Sequence, residues 1–408
     1  MYLNKNHMKT DNVFLERETC FKEPAIEHNA HIKQYSRFLE PQKDINALKA
    51  GEIFTKQIQN NFIADFEKNE EFVNKNGGTI DLMCHVSTFY KIRGKIYMTY
   101  YANELNEKED PSCQSARLAY CNENNVIKMT ILNISEIGDV IGDKKTVGIY
   151  DTVMMYGGGD IIYLLWTASL DGEYYRLYRT FNINTETFGE IGVNRLLVRN
   201  FLTDFSVKGI KKGFYENKIP IKEMFSDIGI MQKLSTRIED GVKYFYTGAY
   251  SGFFNFIIKS KDFITWEYVA KPDFINFSEW ENATYVLNDK SYYFVRQVEC
   301  DQGFLTTYDL RSGTWETPCL ISDCQSRADF FFYNNNLYLV NAPKSRECIA
   351  ITLINQKDIS KSKPVLFCNL KSSIFYPFTQ VYGDELFISY TVSRKHIRLT
   401  QVHLKNFL

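Results

Sequence analysis

The feature that most constrains the fold is a repeated hairpin rich in tyrosine and phenylalanine. The chain of 408 residues holds 27 Tyr and 31 Phe. They stand in short alternating runs, for example at 95–101, 243–247 and 336–340, and a period of two residues is typical of strands rather than helices. Polar or Gly-bearing turns precede many of these runs, and an apolar run, a turn and a second apolar run predict a hairpin. The sequence therefore predicts an all-β protein.

Six of these segments share one plan: a polar opening, a first strand, a tight turn and an aromatic second strand. They open near Asp81, Asp151, Asp227, Glu281, Ser326 and Tyr376. The later intervals are roughly 45–55 residues, the length of one four-stranded propeller blade. We therefore predict a six-bladed β-propeller, with five blades as the alternative, and rank a β-sandwich behind both because its repeats are shorter and less regular. The first strand of each blade lines the axis, so the polar openings should converge on one central pocket.

The N-terminal part of the chain differs from the rest. Residues 1–70 show little of the repeat and are predicted to precede a propeller domain at 71–408. Closing the ring would require this region to pair with the last blade. Residues 51–76 could supply the closing strand or form a helix, and the pattern does not decide between them.

Composition argues against several classes of function. The 48 Lys+Arg against 49 Asp+Glu give a net charge of −1, which disfavours a dedicated nucleic-acid binder. No run of about 18 apolar residues predicts a transmembrane helix, and residues 1–13 lack the apolar core of a secretory signal. The nine cysteines lack the spacing of a zinc site or a disulfide framework. We expect a cytoplasmic protein with no cofactor, metal, nucleic acid or membrane partner, and the oligomeric state is left open.

Two turns add to the propeller prediction. Residues 260–266 read Ser-Lys-Asp-Phe-Ile-Thr-Trp, and residues 309–315 read Asp-Leu-Arg-Ser-Gly-Thr-Trp. In such turns Ser and Asp side chains bond nearby backbone N–H groups, while the Trp packs under the turn. Both segments resemble degenerate Asp-boxes, the turns between the outer strands of sialidase blades. Their expected role is structural.

The C-terminal third resembles the sialidases, six-bladed propellers that cleave terminal sialic acid. Glu281 heads a strand pair that ends at Arg296, a later segment ends in Arg346, and Tyr376 precedes the final hairpin. The order Glu, Arg, Arg, Tyr, at intervals of 15, 50 and 30 residues, is similar to the sialidase plan. The resemblance implies that Tyr376 attacks, Glu281 takes its proton, and the two arginines bind the substrate carboxylate.

The residue types suit that chemistry. Arginine holds a carboxylate through paired, planar hydrogen bonds. A carboxylate nucleophile would be repelled by the carboxylate of a sialic acid, whereas a neutral Tyr hydroxyl is not, and an adjacent Glu can take its proton.

The remaining pocket positions depart from the family. The general acid is expected in the loop after the first hairpin, at Asp110 or, as the fallback, Glu109. Where sialidases place an Arg-Ile-Pro motif with a third arginine, this sequence has His85, which binds an anion only when protonated. Arg327 and Arg394 lie at polar blade positions and could compensate. The substrate is therefore predicted to be sialic acid or another acidic sugar.

Other functions are weighed beside this one. Asp81 and Asp151 open the first two blades and suggest five-bladed furanosidases, which carry Asp, Asp and Glu on successive blades. A polysaccharide or oligosaccharide lyase would use His85 or Tyr376 as the base that removes a proton beside a uronate, with arginines neutralising the carboxylate. A non-catalytic, glycan-binding propeller is the third possibility. In each case the expected partner is a carbohydrate.

Overall fold

Strands dominate the structure, as the sequence predicts. A computed structural model describes residues 38–60, 62–65, 81–220, 227–252, 254–272, 278–297, 302–322, 324, 326–343 and 346–406. The α-helices of these residues are α1 (Ile45–Asn60) and α2 (Val207–Glu216). Short 3₁₀ helices lie at Pro41–Lys43, Pro111–Cys113, Ile359–Lys361 and Leu404–Asn406. Neither α-helix of the described chain has the length and apolar character needed to cross a membrane.

The strands of the described residues form six sheets, named blades 1 to 6 in chain order. Two N-terminal strands, β1 (Phe38–Leu39) and β2 (Phe62–Asp65), join later sheets. Blade 1 holds β3 (Met83–Ile92), β4 (Lys95–Asn103), β5 (Gln114–Asn122) and β6 (Asn125–Ser135). Blade 2 holds β7 (Val140–Ile141), β8 (Lys144–Met155), β9 (Ile161–Leu170), β10 (Glu173–Asn182) and β11 (Thr187–Val193). Blade 3 holds β12 (Arg195–Val198), β13 (Phe201–Asp204), β14 (Ile228–Ile230), β15 (Ser235–Glu239), β16 (Val242–Ser251), β17 (Phe254–Ser260) and β18 (Thr265–Ala270).

The second half of the chain forms the other three blades. Blade 4 holds β19 (Ser278–Leu287), β20 (Lys290–Gln297), β21 (Gln302–Asp309), β22 (Thr314–Trp315) and β23 (Cys319–Ser322). Blade 5 holds β24 (Asp329–Tyr333), β25 (Asn336–Asn341), β26 (Cys348–Ile354) and β27 (Lys363–Asn369). Blade 6 holds β28 (Ile374–Tyr382), β29 (Glu385–Val392) and β30 (His396–His403).

Contacts between strands of neighbouring sheets close the sheets into a ring. β3 contacts β8, β9 and β10 contact β14, β16 contacts β19, β19 contacts β24, and β24 contacts β28, which returns to β3. Five of the sheets are regular blades built on four antiparallel strands. Blade 3 departs from this plan, because its inner strand is divided into β14 and β15 and the hairpin β12–β13 is added beside β18. The prediction of an all-β propeller is confirmed, and the five regular blades match the five-bladed alternative rather than the six-bladed prediction. The sixth sheet in the ring, blade 3, is irregular.

The N-terminal segment extends two blades. β2 pairs with β30 as the fourth strand of blade 6, and β1 runs parallel to β23 at the edge of blade 4. Residues 51–76, where the sequence leaves a helix and a strand open, contain both: α1 ends at Asn60 and β2 follows it. Residues 66–80 lie outside the described residues, as do residues 1–13, where the sequence predicts no secretory signal.

Helix α1 packs closely on the outer strand of blade 5. Its Ala47 and Phe54 side chains are fully buried. At Gly51, an added Cβ would lie 1.8 Å from the carbonyl oxygen of Phe367 on β27, so the helix can approach the sheet only because this residue has no side chain.

Blade 3 carries an insertion that the hairpin pattern does not predict. After β13, the Ser206 hydroxyl accepts a 2.9 Å hydrogen bond from the Gly209 backbone N–H and so caps the N-terminus of α2. The helix buries Ile210 and Phe214 against the sheet. The insertion therefore joins the apolar core that blade 3 shares with its neighbouring blades.

Aromatic packing between blades accounts for much of the Tyr and Phe content. Phe89 of β3 and Phe378 of β28 meet edge to face with ring centroids 5.6 Å apart, which joins blade 1 to blade 6. Trp166 and Trp266 are fully buried. Burying each such side chain contributes roughly 1.5–3 kcal/mol.

The two sequence turns make the expected hydrogen bonds. The side chains of Ser260 and Asp262 accept bonds of 2.8–3.2 Å from backbone N–H groups of their own turn, which joins β17 to β18. Asp309 accepts two such bonds, of 2.8 and 2.9 Å. Both turns lie far out in their blades, where they stabilise strand connections.

Candidate active site

Irregularities in four inner strands lie at predicted site residues. The pairing register shifts in β3 after His85, in β8 across Asp151, in β19 across Glu281 and in β28 across Tyr376. Asp151 and Tyr376 have φ of 51° and 54°, in the left-handed region that non-glycine residues rarely adopt. A bulge re-aims a side chain, and such a conformation costs of order 1–3 kcal/mol. The surrounding structure must therefore hold these residues in place.

Tyr376 and Glu281 form the centre of the site. The Tyr376 hydroxyl donates a hydrogen bond to Oε1 of Glu281. Nη1 of Arg296, on the adjacent strand β20, donates to Oε2 of the same carboxylate. Only 3% of Glu281 is exposed. A shielded carboxylate with one oxygen on a Tyr hydroxyl is placed to take the proton of that hydroxyl.

The charges around this pair act on both pKa values. Burial alone would raise the pKa of Glu281, but the charges of Arg296 and Arg327 and the hydrogen bonds to the carboxylate bring it below its usual value. Burial, followed by the negative charge of Glu281, raises the pKa of Tyr376, whereas Arg327, Arg346 and Arg296 oppose that rise. At neutral pH the pair is a carboxylate facing a protonated phenol.

Arg327 and Asp151 form a buried ion pair beside Tyr376. Nη2 of Arg327 donates to Oδ1 of Asp151 at 2.8 Å, and Nη1 donates to Gln232 at 2.9 Å. The guanidinium carbon of Arg327 lies over the Tyr376 ring, 4.7 Å from its centroid. The side chains of Arg327 and Asp151 are 4% and 5% exposed. This pair joins blade 2 to blade 5 beside the ring of the candidate nucleophile, Tyr376.

A second arginine holds Asp151 from its own blade. Nη1 of Arg176 donates to the Asp151 carbonyl at 2.7 Å and lies 3.7 Å from its carboxylate. The Tyr250 hydroxyl donates to Oδ2 at 3.3 Å. Burial lowers the pKa of Arg176 to about 10 against the opposing charge of Asp151, so the guanidinium stays charged at neutral pH. Arg327, Arg176 and Tyr250 together therefore hold the Asp151 carboxyl in place.

His85 is a neutral neighbour of Tyr376. Its ring stacks on the Tyr376 ring with centroids 4.5 Å apart and planes 26° apart, and Nδ1 lies 3.1 Å from the Thr391 hydroxyl. Nε2 is buried and has no hydrogen-bond partner among the described residues. Burial and then the charges of nearby arginines lower the pKa of His85 well below 6.5. The expectation that a protonated His85 supplies a cation is therefore not supported by its surroundings.

Two further arginines flank Phe375 at the more open side of the site. The guanidinium carbon of Arg346 lies 4.8 Å from the centroid of the Phe375 ring, and that of Arg394 lies 5.1 Å from it. Arg394 is 37% exposed and pairs with Glu109, which also accepts a hydrogen bond from the Tyr101 hydroxyl. Cationic side chains thus lie both at the more exposed side of the site, with Arg394, and at its buried side, with Arg327.

Two predicted residues do not join this cluster. Asp110 accepts hydrogen bonds from the backbone N–H and the hydroxyl of Ser112, at 3.0 and 2.7 Å, and caps a 3₁₀ helix. Asp81 pairs at 3.1 Å with Arg117 on β5. The Asp110 carboxylate is thus held by its helix cap, and the Asp81 carboxylate by an ion pair within blade 1. Of the two predicted acids, the structure brings Glu109 to the site.

Several residues of the site are missed by the sequence reading. Arg176, Gln232, Tyr101 and Tyr250 all contact predicted site residues or their partners. Arg176 has a signal that could have found it, because it is a charged residue between Tyr175 and Leu177 in a predicted strand. The two tyrosines have none, since the chain carries 27.

Comparisons with known proteins agree with the fold. No family model matches the sequence, and no curated protein matches it. Among solved structures, the Hadza microbial sialidase Hz136 has a TM-score of 0.56 at 11% identity, covering 80% of this chain and 67% of that one. The intramolecular trans-sialidase from Ruminococcus gnavus, in complex with oseltamivir carboxylate, has a TM-score of 0.52 at 10% identity, covering 86% of this chain and 99% of that one.

A third similar structure is the Trypanosoma rangeli sialidase in complex with sialic acid, with a TM-score of 0.51 at 11% identity. The alignment covers 81% of this chain and 56% of the trypanosomal one, so this chain spans little more than half the length of that relative. At such identities the likeness is one of fold. The chain has a β-propeller fold similar to the folds of these sialidases.

Proposed function

We propose that this protein is an exo-acting glycosidase of the sialidase type that releases a terminal acidic sugar, with Tyr376 as nucleophile. The observation that carries the proposal is the hydrogen bond from Tyr376 to the buried carboxylate of Glu281, set among four arginines. A neutral nucleophile beside cations suits a substrate that carries a carboxylate at its reacting carbon.

The proposed reaction has two displacements. The Tyr376 oxygen attacks the anomeric carbon while Glu281 takes its proton, and the bond from that carbon to the leaving oxygen breaks. An acid of the site gives the leaving oxygen a proton. Water then attacks the same carbon while the acid deprotonated in the first step takes its proton. The bond from that carbon to the Tyr376 oxygen breaks, and Glu281 returns the proton to Tyr376, so the sugar is released with retained configuration.

Binding of the substrate carboxylate is proposed for Arg346 and Arg394, with Arg296 beside them. Arg346 and Arg394 flank Phe375 on the open side, where a solute can reach them. Arg296 lies next to Glu281 and Tyr376, at the reacting end. Planar guanidinium groups match a carboxylate through paired hydrogen bonds.

Glu109 is the proposed general acid. It lies at the entrance with Arg394 and Tyr101, whereas Asp110 is engaged in its helix cap. A substrate carboxylate that binds Arg394 would take that guanidinium away from Glu109.

Hydrolysis of a fluorogenic sialoside tests the proposal. Wild type should release the fluorophore, and Y376F and E281Q should lose on the order of 100-fold or more in kcat. Y215F is the matched control, because Tyr215 lies on α2 and is 79% exposed; it should behave as wild type. Release by wild type that is unchanged in Y376F would refute the assignment of the nucleophile.

A lyase is the second candidate, and one observation favours it. His85 is neutral, stacks on Tyr376 and keeps an unpartnered buried Nε2, as a base that removes a proton would need. Incubation with uronate-containing oligosaccharides separates the two functions. A lyase forms a new double bond that absorbs in the near ultraviolet, and a hydrolase does not.

A further inference from the structure

We infer that Arg327 is a positioning residue that acts on Tyr376 and is not a ligand of the substrate. The inference rests on the proposed nucleophilic role of Tyr376 and gives the site arginines separate tasks. It also changes the expectation from sequence, where Arg327 is a candidate for binding the substrate carboxylate.

The first argument is that protein groups hold the Arg327 guanidinium. Both terminal nitrogens donate to buried partners, Asp151 and Gln232. The side chain is 4% exposed, so a solute can reach little of it. By contrast, Arg394 is 37% exposed. A carboxylate that enters the site meets Arg394 more readily than Arg327.

The second argument is the position of the guanidinium over the ring that reacts. Its carbon lies 4.7 Å from the centroid of the Tyr376 ring. A cation over an aromatic face is attracted to the neutral ring, and the attraction becomes stronger when the phenol loses its proton and carries a full negative charge. Arg327 therefore favours the ionised, attacking form of Tyr376 over the resting form.

The third argument is the balance of charges that face Tyr376. Glu281 places a negative charge against the phenolate, and burial disfavours it further. The charges of Arg296 and Arg346 also lower the pKa of Tyr376. Arg296 is paired with Glu281, just as Arg327 is paired with Asp151, but the guanidinium that lies over the Tyr376 ring is that of Arg327. His85, stacked on the ring, is neutral. Arg327 is thus a cation of the site that is fixed directly on the nucleophile.

The contacts of Asp151 with Arg327 and Arg176 keep the Arg327 guanidinium over the Tyr376 ring. Asp151 holds Arg327 from blade 2, and Arg176 holds Asp151 in turn. Without these contacts the guanidinium, on its flexible stem, would be free to follow a substrate carboxylate. Asp151, in its strained left-handed conformation, keeps it on the ring.

Ionisation of the residue at 376 tests the inference without any substrate. A trifluorotyrosine, whose phenol is far more acidic than that of tyrosine, is incorporated at position 376 alone and its titration is followed by fluorine NMR. R327Q should raise the midpoint by about one pH unit, as expected for loss of an opposite charge at this range. A folded R327Q protein with the wild-type midpoint would overturn the inference.

Two further variants serve as controls for the titration of R327Q. R327K keeps the charge, but its single ammonium cannot bond Asp151 and also cover the ring, so we expect a smaller rise in the midpoint than in R327Q. If R327Q does not fold, R327K replaces it in this test, and an unchanged midpoint in R327K would overturn the inference. R117Q is the matched control, because Arg117 is equally buried and paired with carboxylates in blade 1. It should leave the midpoint unchanged.

Kinetics supply a second readout. With a sialoside that wild type hydrolyses, R327Q should lower kcat about tenfold and leave KM nearly unchanged. A raised KM with unchanged kcat would make Arg327 a substrate ligand and overturn the inference. If wild type hydrolyses no sialoside, the proposed function fails while the titration still tests the action of Arg327 on Tyr376.

Discussion

The Tyr376 hydroxyl of blade 6 donates its hydrogen bond to Glu281 of blade 4, 95 residues earlier in the chain. Both residues lie where an inner strand loses its regular pairing. Neither blade contains the pair by itself, so the site exists only when the ring is closed. The strain at Tyr376 is accordingly balanced by contacts from several blades.

The acid side of the pH–rate profile should report Glu281. Because the arginines outweigh burial and lower the pKa of Glu281, the carboxylate stays ionised and able to take a proton below the usual range. We expect kcat/KM to fall only below roughly pH 4.3, the ordinary Glu value. R296Q removes the largest opposing charge and should move this acid limb to higher pH.

The matched control for that shift is R237Q. Arg237 also pairs with carboxylates, Glu239 and Asp289, but it lies on the β15–β16 hairpin and neither carboxylate belongs to the site. Its acid limb should match that of wild type. An acid limb at the same pH in R296Q and in wild type would show that Glu281 is not the base.

Stability should fall as the pH drops through the ordinary range of histidine, in part because of His85. Its folded-state pKa is well below 6.5, so below about pH 6.5 the unfolded chain takes up a proton that the folded protein does not. The linked loss approaches about 1.4 kcal/mol per pH unit. Urea unfolding of H85Q between pH 7.5 and 5.5 (roughly the window in which His titrates) should give a shallower decline. H403Q on β30 is the control, and equal slopes for H85Q and wild type would contradict the assignment.

The buried ion pair between Lys233 and Asp329 should stabilise the ring. Lys233 Nζ lies 3.0 Å from Oδ2 of Asp329, with 7% and 0% of the side chains exposed, and Thr379 of blade 6 donates to the same oxygen. K233M leaves a buried carboxylate without its cation and should cost about 3–5 kcal/mol in the free energy of unfolding.

A double-mutant cycle distinguishes pairing from packing at this site. K233M with D329N should cost less than the two single variants together. K95M is the surface control, because Lys95 and Glu186 are 33% and 41% exposed, and it should cost about 1 kcal/mol or less. Additive costs at Lys233 and Asp329 would show that the ion pair contributes little.

The leaving group identifies the general acid. A good leaving group departs without a proton, whereas the alkoxide of a natural glycoside needs one. E109Q should therefore lose far more activity on a natural sialoside than on a fluorogenic one, and D110N should lose equally little on both. The opposite pattern, with D110N selective for the natural substrate, would restore Asp110 as the acid.

The fold could be predicted because each hairpin carries its own local signal. Alternating aromatic residues and turn residues mark the strands of every blade, and the openings at Glu281 and Tyr376 follow from the repeat. The helix–strand choice in 51–76 could not be made, since β2 gains its hydrogen bonds from β30, more than 300 residues later. The hairpin and helix added to blade 3 follow no repeat.

Only the site residues that stand at repeated blade positions could be predicted from the sequence. Arg327 and Asp151 are 176 residues apart, and no local pattern indicates that they pair rather than bind substrate. Asp110 and Glu109 are neighbours in an acidic loop, so sequence could not tell which one caps a helix and which one faces the site. The charge state of His85 depends on burial and on arginines from other blades.

The most direct test of the central claim is mass spectrometry of the protein after reaction with a fluorinated sialosyl fluoride, a reagent that forms a glycosyl-enzyme and releases it slowly. We expect one added sugar, located on the peptide that contains Tyr376, and no adduct in Y376F. Turnover of the reagent without an adduct, or an adduct on another residue, would contradict it.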